Sequence, residues 1–450
     1  MSVSRNGLLL AVALGLAYGL FVVIYDVLIE QSTYSAAIRM PRLIVTLHGL
    51  DLLLGLVYIL LPFLWLRLSE MRPSKVLYIF FVFSILLPSV IFLSTNETMS
   101  FTERHGRALF CVFCFFIIYL PYFLPAPPIA EFRLQRAVGW PLMLGFLAVS
   151  CLYVVGLNPS ALTSLNVLDV YGQRLEIREA LASGSFSRIN VYLTNWLGLA
   201  FAPFLVCYGI FYQRPRFVLL ALVVAVLAFA ISSHKSVLFS TVISGLFAVA
   251  IYYRVLFSWP RNRALNVALS LLVGFIVIPL VLDLALGQRL PISWLTTFRL
   301  FLNNGYLMSA YIEYFSGQEM LLYSESFLRA FIESNNDLSY TRRVGDYVMQ
   351  YKANNNANAN FLADGYANLG LAGMIFAALQ LAVVLWFIDR LARGRNTAMV
   401  ICMILPAGLA FSNVPIHTGL VSNGVAILLA LITLLPRDQA DPWFSGRQAL

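Results

Sequence analysis

The chain has 450 residues, of which 60% are hydrophobic and only 11% charged, with a mean hydropathy of +0.82. That balance excludes a water-soluble domain and indicates a polytopic membrane protein. The formal net charge of +9 does not point to nucleic acid, because much of it is arginine in short connections and no DNA- or RNA-binding motif accompanies it.

A membrane-spanning helix needs about 20 predominantly apolar residues. Twelve such runs are predicted, at 7–28, 44–66, 75–94, 106–125, 137–157, 191–212, 217–233, 236–256, 265–287, 367–388, 397–412 and 419–435. The first lacks a clear small-residue cleavage site and is expected to remain as a helix. The expected fold is all-α: one polytopic helical bundle over residues 1–450, with no internal repeat and no long linker. Cys111, Cys114, Cys151, Cys207 and Cys402 all fall in apolar runs, so neither a disulfide framework nor a metal site is expected from them. His48 and Asp51, three apart in the second run, share a helix face and are candidates to pair with each other.

Arginine and lysine in short loops set the orientation. With the N-terminus inside, Arg5, Arg67, Arg72, Lys75, Arg133, Arg136, Arg214, Arg216, Arg254, Arg261, Arg263, Arg390, Arg393, Arg395, Arg437 and Arg447 fall on the cytoplasmic side. Both termini are then cytoplasmic, and two large external loops remain, 158–190 and 288–366.

In the first loop, Arg174 and Arg178 are four apart and share a face if helical. They either grip a phosphate or diphosphate or pair with Asp169, Glu176 and Glu179 on a surface helix. His234 and Lys235 sit in the tight connection between the seventh and eighth runs. A lysine held at the membrane face either meets an anionic partner or snorkels outward. The second loop has nearly balanced charge, with Arg299, Arg342 and Arg343 among its cations. Its interleaved aromatics, Trp294, Phe298, Phe301, Tyr306, Tyr311, Tyr314, Phe315 and Tyr323, fit amphipathic helices lying on or re-entering the membrane, or stacking on sugar rings. The loop closes on residues 354–370, where Asn354, Asn355, Asn356, Asn358, Asn360, Asp364, Tyr366 and Asn368 crowd against an apolar run. Polar groups are costly to hold at a membrane face, so such a cluster points to a large polar ligand. His417, in the last short external connection, is a lone candidate base. Phosphate-binding glycine loops, zinc-protease motifs and nucleophile elbows are absent from the sequence.

Four stretches carry a family resemblance: 170–178, 232–236 followed by an apolar run, 298–311, and 360–370. In them the chain resembles the Wzy family of O-antigen and oligosaccharide repeat-unit polymerases. The resemblance implies a GT-C-like glycosyltransferase in the bacterial inner membrane, acting on its periplasmic side. Two undecaprenyl-diphosphate-linked oligosaccharides would be joined without a metal ion or other cofactor, and undecaprenyl diphosphate released. A chain-length regulator and a flippase are the implied protein partners, the lipid bilayer is the medium, and nucleic acid has no part. On that reading Asp364, or else His234, is the general base. Arg174, Arg178, Lys235, Arg299, Arg342 and Arg343 meet the diphosphate, and Asn358, Asn360 and Tyr366 orient the glycan. The related lipid A–core ligases carry a histidine eleven residues before a glycine. Counting back from Gly370, that position is Ala359, which favours a polymerase over a ligase. The arginine–glycine spacing repeated in the loops of some polymerases is absent. The non-enzymatic alternative is a lipid-linked oligosaccharide flippase or exporter.

Overall fold

The computed structural model describes residues 5–31, 49–66, 72–123, 136–157, 187–232, 234–253, 263–287, 291–326, 338–349 and 356–436. The helices are α1 (Arg5–Gln31), α2 (Gly49–Leu60), α3 (Pro73–Ser94), α4 (Phe101–Tyr122), α5 (Arg136–Leu157), α6 (Ile189–Phe211), α7 (Pro215–Ser232) and α8 (Lys235–Tyr252). They continue as α9 (263–285), α10 (291–316), α11 (Tyr340–Met349), α12 (Phe361–Ala392), α13 (Thr397–Phe411), α14 (Ile416–Val421) and α15 (Val425–Ile432). Among the described residues, eight helices are long and apolar enough to cross a membrane: α1, α3, α4, α5, α6, α7, α8 and α12. The protein is therefore a helical membrane protein. Helices also stand at the other predicted runs, but α2, α13 and the apolar part of α9 are shorter, and Gly424 at φ 74° separates α14 from α15.

Local chemistry sets several of these boundaries. Ser100 caps α4 by accepting from the Glu103 amide at 3.3 Å, the Ser-x-x-Glu arrangement that satisfies exposed amides of a first turn. Asn396 caps α13 through the Met399 amide at 3.0 Å. Burial then sorts the helices. In α3, 94% of the span is buried, so it is the central helix, whereas α5, at 28%, shows most of its apolar surface outward. Leu8, Leu16, Leu53, Leu142, Leu152, Leu219 and Leu246 all lie exposed on these outer helices. Such a surface suits lipid, because the backbone groups in the interior of a helix are bonded within their own segment.

Two groups of helices meet around α13. The first comprises α5, α6, α7 and α8; the second comprises α1, α2, α3, α4, α9, α10 and α12. In contact with both, α13 touches α3 as well as α6 and α8.

The interval 288–366, expected as a second external loop, contains a long helix that enters the bundle. At the start of α10, the amides of Ile292 and Ser293 donate to Asp283 at 3.0 and 2.7 Å, near the end of α9. The chain then passes mid-helix residues. Thr297 donates to the Phe275 carbonyl at 2.9 Å, and Phe301 lies 5.7 Å from Phe21 and 6.3 Å from Phe80, ring centre to ring centre. At its far end Ser309 and Glu313 meet Asn96, just beyond the end of α3. The start of α10 thus lies beside the end of α9, its middle beside Phe21, Phe80 and Phe275, and its far end beside the end of α3. Over 294–302 the helix is widened to π-type turns. Asn304 bonds the Ser84 carbonyl at 3.0 Å. Gly305 lies so close to α3 that a Cβ there would sit 2.2 Å from the Pro88 carbonyl carbon. Seven of the eight aromatics of that pattern lie on α10, with Phe298, Phe301, Tyr306, Tyr311 and Phe315 buried and Trp294 and Tyr314 half-buried, while Tyr323 follows it in a turn.

Candidate functional site

The polar stretch 356–370 begins α12, and α12 is broken. Leu369 adopts φ −140°, ψ 22°, and Gly370 adopts φ 61°, ψ −141°, a conformation that costs glycine little and other residues much. The break folds the chain back on itself. A Cβ on Gly373 would lie 1.8 Å from the Gly365 carbonyl oxygen, although eight residues separated in a continuous helix stand about 12 Å apart. The half-helix 361–368 therefore packs against the start of the long half, glycine on glycine. Its open edge is closed by residues 321–323. Leu321 and Leu322 donate backbone bonds to the Ala367 and Asn368 carbonyls at 3.0 and 3.1 Å, and the Tyr323 amide donates to Asn368 Oδ1 at 2.9 Å.

Asp364 occupies the first turn of the half-helix, where the helix dipole favours a negative charge. It is only 5% exposed, and Tyr340 Oη donates to its Oδ1 at 2.8 Å. Tyr340 comes from α11, which packs on α10. Burial first, and the charge of Asp364 second, push the Tyr340 phenol well above its usual pKa, so it remains a donor. The same two causes raise Tyr323 to about 12. Next to this pair stands Glu325, which accepts from the Tyr340 amide at 2.7 Å and from Arg343. On the α4 side Arg107 bonds Tyr366 Oη, lies 5.0 Å over its ring, and pairs with Glu103 at 3.1 Å. Deeper at the same end of the bundle, Asp51 receives two bonds from Arg104, at 3.0 and 2.9 Å, and one contact from His105 at 2.9 Å.

The structure gathers some of the predicted residues and reassigns others. Asp364, Asn360, Tyr366 and Arg343 lie in the cluster around the half-helix. Asn360 is fully buried and caps the half-helix: Oδ1 accepts from the Leu362 and Ala363 amides at 3.0 and 3.2 Å, and Nδ2 donates to the Asn304 carbonyl at 3.2 Å. Its side-chain oxygen and nitrogen are both engaged by the protein. Tyr366 is also buried and supports Arg107. Asn358 is exposed beside them. Arg343 is neutralised by Glu325, whereas Arg342 is half-buried and pairs with no described acidic residue. Arg299 is exposed on the widened turns of α10. His234 and the exposed Lys235 open α8, which packs on α6, α7 and α13, and neither is among the groups bonded to Asp364. His417 lies half-buried in α14. Arg174, Arg178 and His48 lie outside the described residues.

Comparison with known proteins adds no family to this geometry. The chain matches no family model, no curated protein and no solved structure.

Sequence reasoning missed Tyr340, Arg107 and Glu325. Tyr340 and Glu325 come from separate segments of the long excursion, and only the tertiary fold shows that Tyr340 meets Asp364 and that Glu325 meets Tyr340. Arg107 carried a signal: with Glu103 and Arg104 it places three charges in the first turns of an apolar run, where charge is rare without a partner. Chemically, the cluster offers a buried carboxylate held in one position by a phenol, flanked by fixed guanidinium–carboxylate pairs. Such a carboxylate is suited to accept a proton from a hydroxyl that excludes water as it binds.

Proposed function

We propose that this protein is a membrane glycosyltransferase, a repeat-unit polymerase of the Wzy type. It joins oligosaccharides carried on undecaprenyl diphosphate, at the outer face of the bacterial inner membrane. Asp364 carries the reading: a buried carboxylate fixed by Tyr340 at the first turn of a broken helix, on one end of a lipid-embedded bundle. On this reading the GT-C-like bundle crosses the membrane twelve times, with α2, α9, α13 and the α14–α15 pair completing the eight long helices.

The acceptor sugar's hydroxyl oxygen attacks the anomeric carbon of the donor glycan and gives its proton to Asp364. The bond between that carbon and the diphosphate oxygen breaks, and its electron pair leaves with undecaprenyl diphosphate. Fixed cations stabilise the charge that develops there. Arg342, Arg299 and Lys235, together with Arg174 and Arg178, are the residues assigned to it. Arg343 is not, because Glu325 already holds its guanidinium. Asn358, exposed two residues before the helix cap Asn360, is the asparagine assigned to the glycan.

Purified protein supplied with synthetic undecaprenyl-diphosphate-linked repeat units is expected to produce a ladder of longer glycans. Asp364→Asn is expected to slow extension by about 10²–10⁴-fold, the range for a lost general base. Extension at the wild-type rate by a folded Asp364→Asn variant would falsify the assignment. A second reading, a lipid-linked oligosaccharide flippase, draws on the broken α12, since transporters bind substrate at discontinuous helices. It predicts the opposite result in the same assay: no ladder from the wild type, and transfer of labelled lipid-linked units across proteoliposomes.

A further inference from the structure

The opposite end of α12 carries a second charged region that the proposed chemistry does not use. From Gly370, residues 371–392 run about 33 Å at helical rise and end beside a cavity of about 400 Å³. Arg72, Trp386, Asp389, Arg390, Arg393 and Arg395 line it. Four arginines therefore line it against one carboxylate, with Arg395 donating its Nη atoms to the Leu391 and Thr433 carbonyls. That carboxylate is already engaged: Asp389 accepts from the Ser74 amide at 3.0 Å and from Ser74 Oγ at 2.7 Å, and Ser74 in turn meets Tyr122 Oη at 2.7 Å. Arg390 is 9% exposed and lies 5.2 Å over the Trp386 ring. Its Nε and Nη2 are buried with no hydrogen-bond partner among the described residues.

We infer that this cavity is a binding site for a phosphate-bearing anion, on the membrane face opposite Asp364. A guanidinium with unpaired buried donors needs an acceptor, and an anion in the adjoining cavity provides charge-assisted ones. The arginine fork matches phosphate oxygens two at a time, and an excess of guanidiniums over carboxylates suits a doubly or triply charged group such as a diphosphate or a bisphosphate headgroup. The volume falls in the range of small-molecule sites. Trp386, Pro73 and Pro121 give the lining an apolar wall on which an amphiphile's glycerol or acyl portion rests. Basic pockets at the ends of transmembrane helices take anionic lipid headgroups by the same physics. The site stands whether or not the polymerase reading does.

The test uses the full-length protein in a non-ionic detergent, with melting temperature and Trp fluorescence as readouts. One arm titrates inorganic diphosphate, and a second titrates cardiolipin in mixed micelles, with phosphatidylcholine and ionic-strength-matched chloride as controls. Stabilisation by diphosphate identifies a soluble source, and stabilisation by cardiolipin alone identifies a lipid one. In either case Arg393→Gln, at an exposed position, is expected to keep the unliganded melting temperature and weaken binding about tenfold, as for loss of a charged hydrogen bond. Arg393→Lys, which retains charge but not the fork, checks the same point if the glutamine variant is unstable. The inference is overturned if neither probe exceeds its control, or if both variants bind as tightly as the wild type.

Discussion

Tyr340 and Asp364 decide most at the scale of single residues. The phenol donates to a carboxylate that is almost out of solvent, so removing it leaves a buried acceptor without its partner. Tyr340→Phe is expected to cost about 1–3 kcal/mol and to lower the turnover of the proposed reaction more than its apparent substrate affinity. Steady-state extension rates at several substrate concentrations separate the two, and an unchanged turnover would remove Tyr340 from the site. The Asp51–Arg104 pair is a buried ion pair that makes no contact with Asp364 or Tyr340. Breaking one partner of a buried ion pair is costly because the other charge stays behind, so Arg104→Met is expected to destabilise the fold by about 3–5 kcal/mol, read as a loss of folded protein on heating in detergent. Asn360 shows how one residue carries two readings in sequence. An asparagine just before an apolar run carries two signals, helix cap and polar ligand, and only its bonds to Leu362, Ala363 and Asn304 separate them.

Among the elements, the break in α12 positions everything around it. Gly365, Gly370 and Gly373 stand within an apolar stretch that reads as the edge of a continuous span. Nothing in their spacing distinguishes a small helix face from a fold-back, because the distinction lies in the positive φ of Gly370 and in backbone contact across eight residues. The run predicted to begin at 367 in fact begins after that turn. A methyl group at Gly373 meets the Gly365 carbonyl oxygen at 1.8 Å, a contact with backbone that no side-chain rotation relieves. Gly373→Ala is therefore expected to destabilise by more than the usual 1–3 kcal/mol of an overpacked site, and to move Asp364 away from Tyr340. Gly145→Ala, in α5 with nothing within 4 Å of the added carbon, is the control expected to behave as wild type. Equal melting temperatures for the two variants would show that the half-helix does not pack as described.

For the whole molecule, the membrane character and the approximate helix positions were legible in the sequence, since a 20-residue apolar run has few other uses. The site was legible only in part. Asp364 and its polar neighbours stood out because the membrane penalises them, but Tyr340, Glu325 and Arg107 reach the same place through tertiary folding. The depth of α10 was also hidden, because a helix lined by other helices needs no uninterrupted apolar run. Sidedness is a property of the whole bundle. The arginine distribution predicts the Asp364 end outside and the Arg393 end inside, and both functional proposals depend on those ends being about 33 Å apart along α12. Asn358 and Arg393 are exposed at the two ends, so cysteines placed there report directly on sidedness. The background is low: Cys111, Cys114, Cys207 and Cys402 are buried, and Cys151 alone is partly exposed and is replaced by serine. In intact cells a membrane-impermeant thiol reagent is expected to label Asn358→Cys and to reach Arg393→Cys only after the inner membrane is opened. The reverse pattern would place Asp364 where sugar units are assembled rather than where polymers are extended, and the polymerase reading would fall with it. Labelling of both from one side would show that α12 does not cross the bilayer.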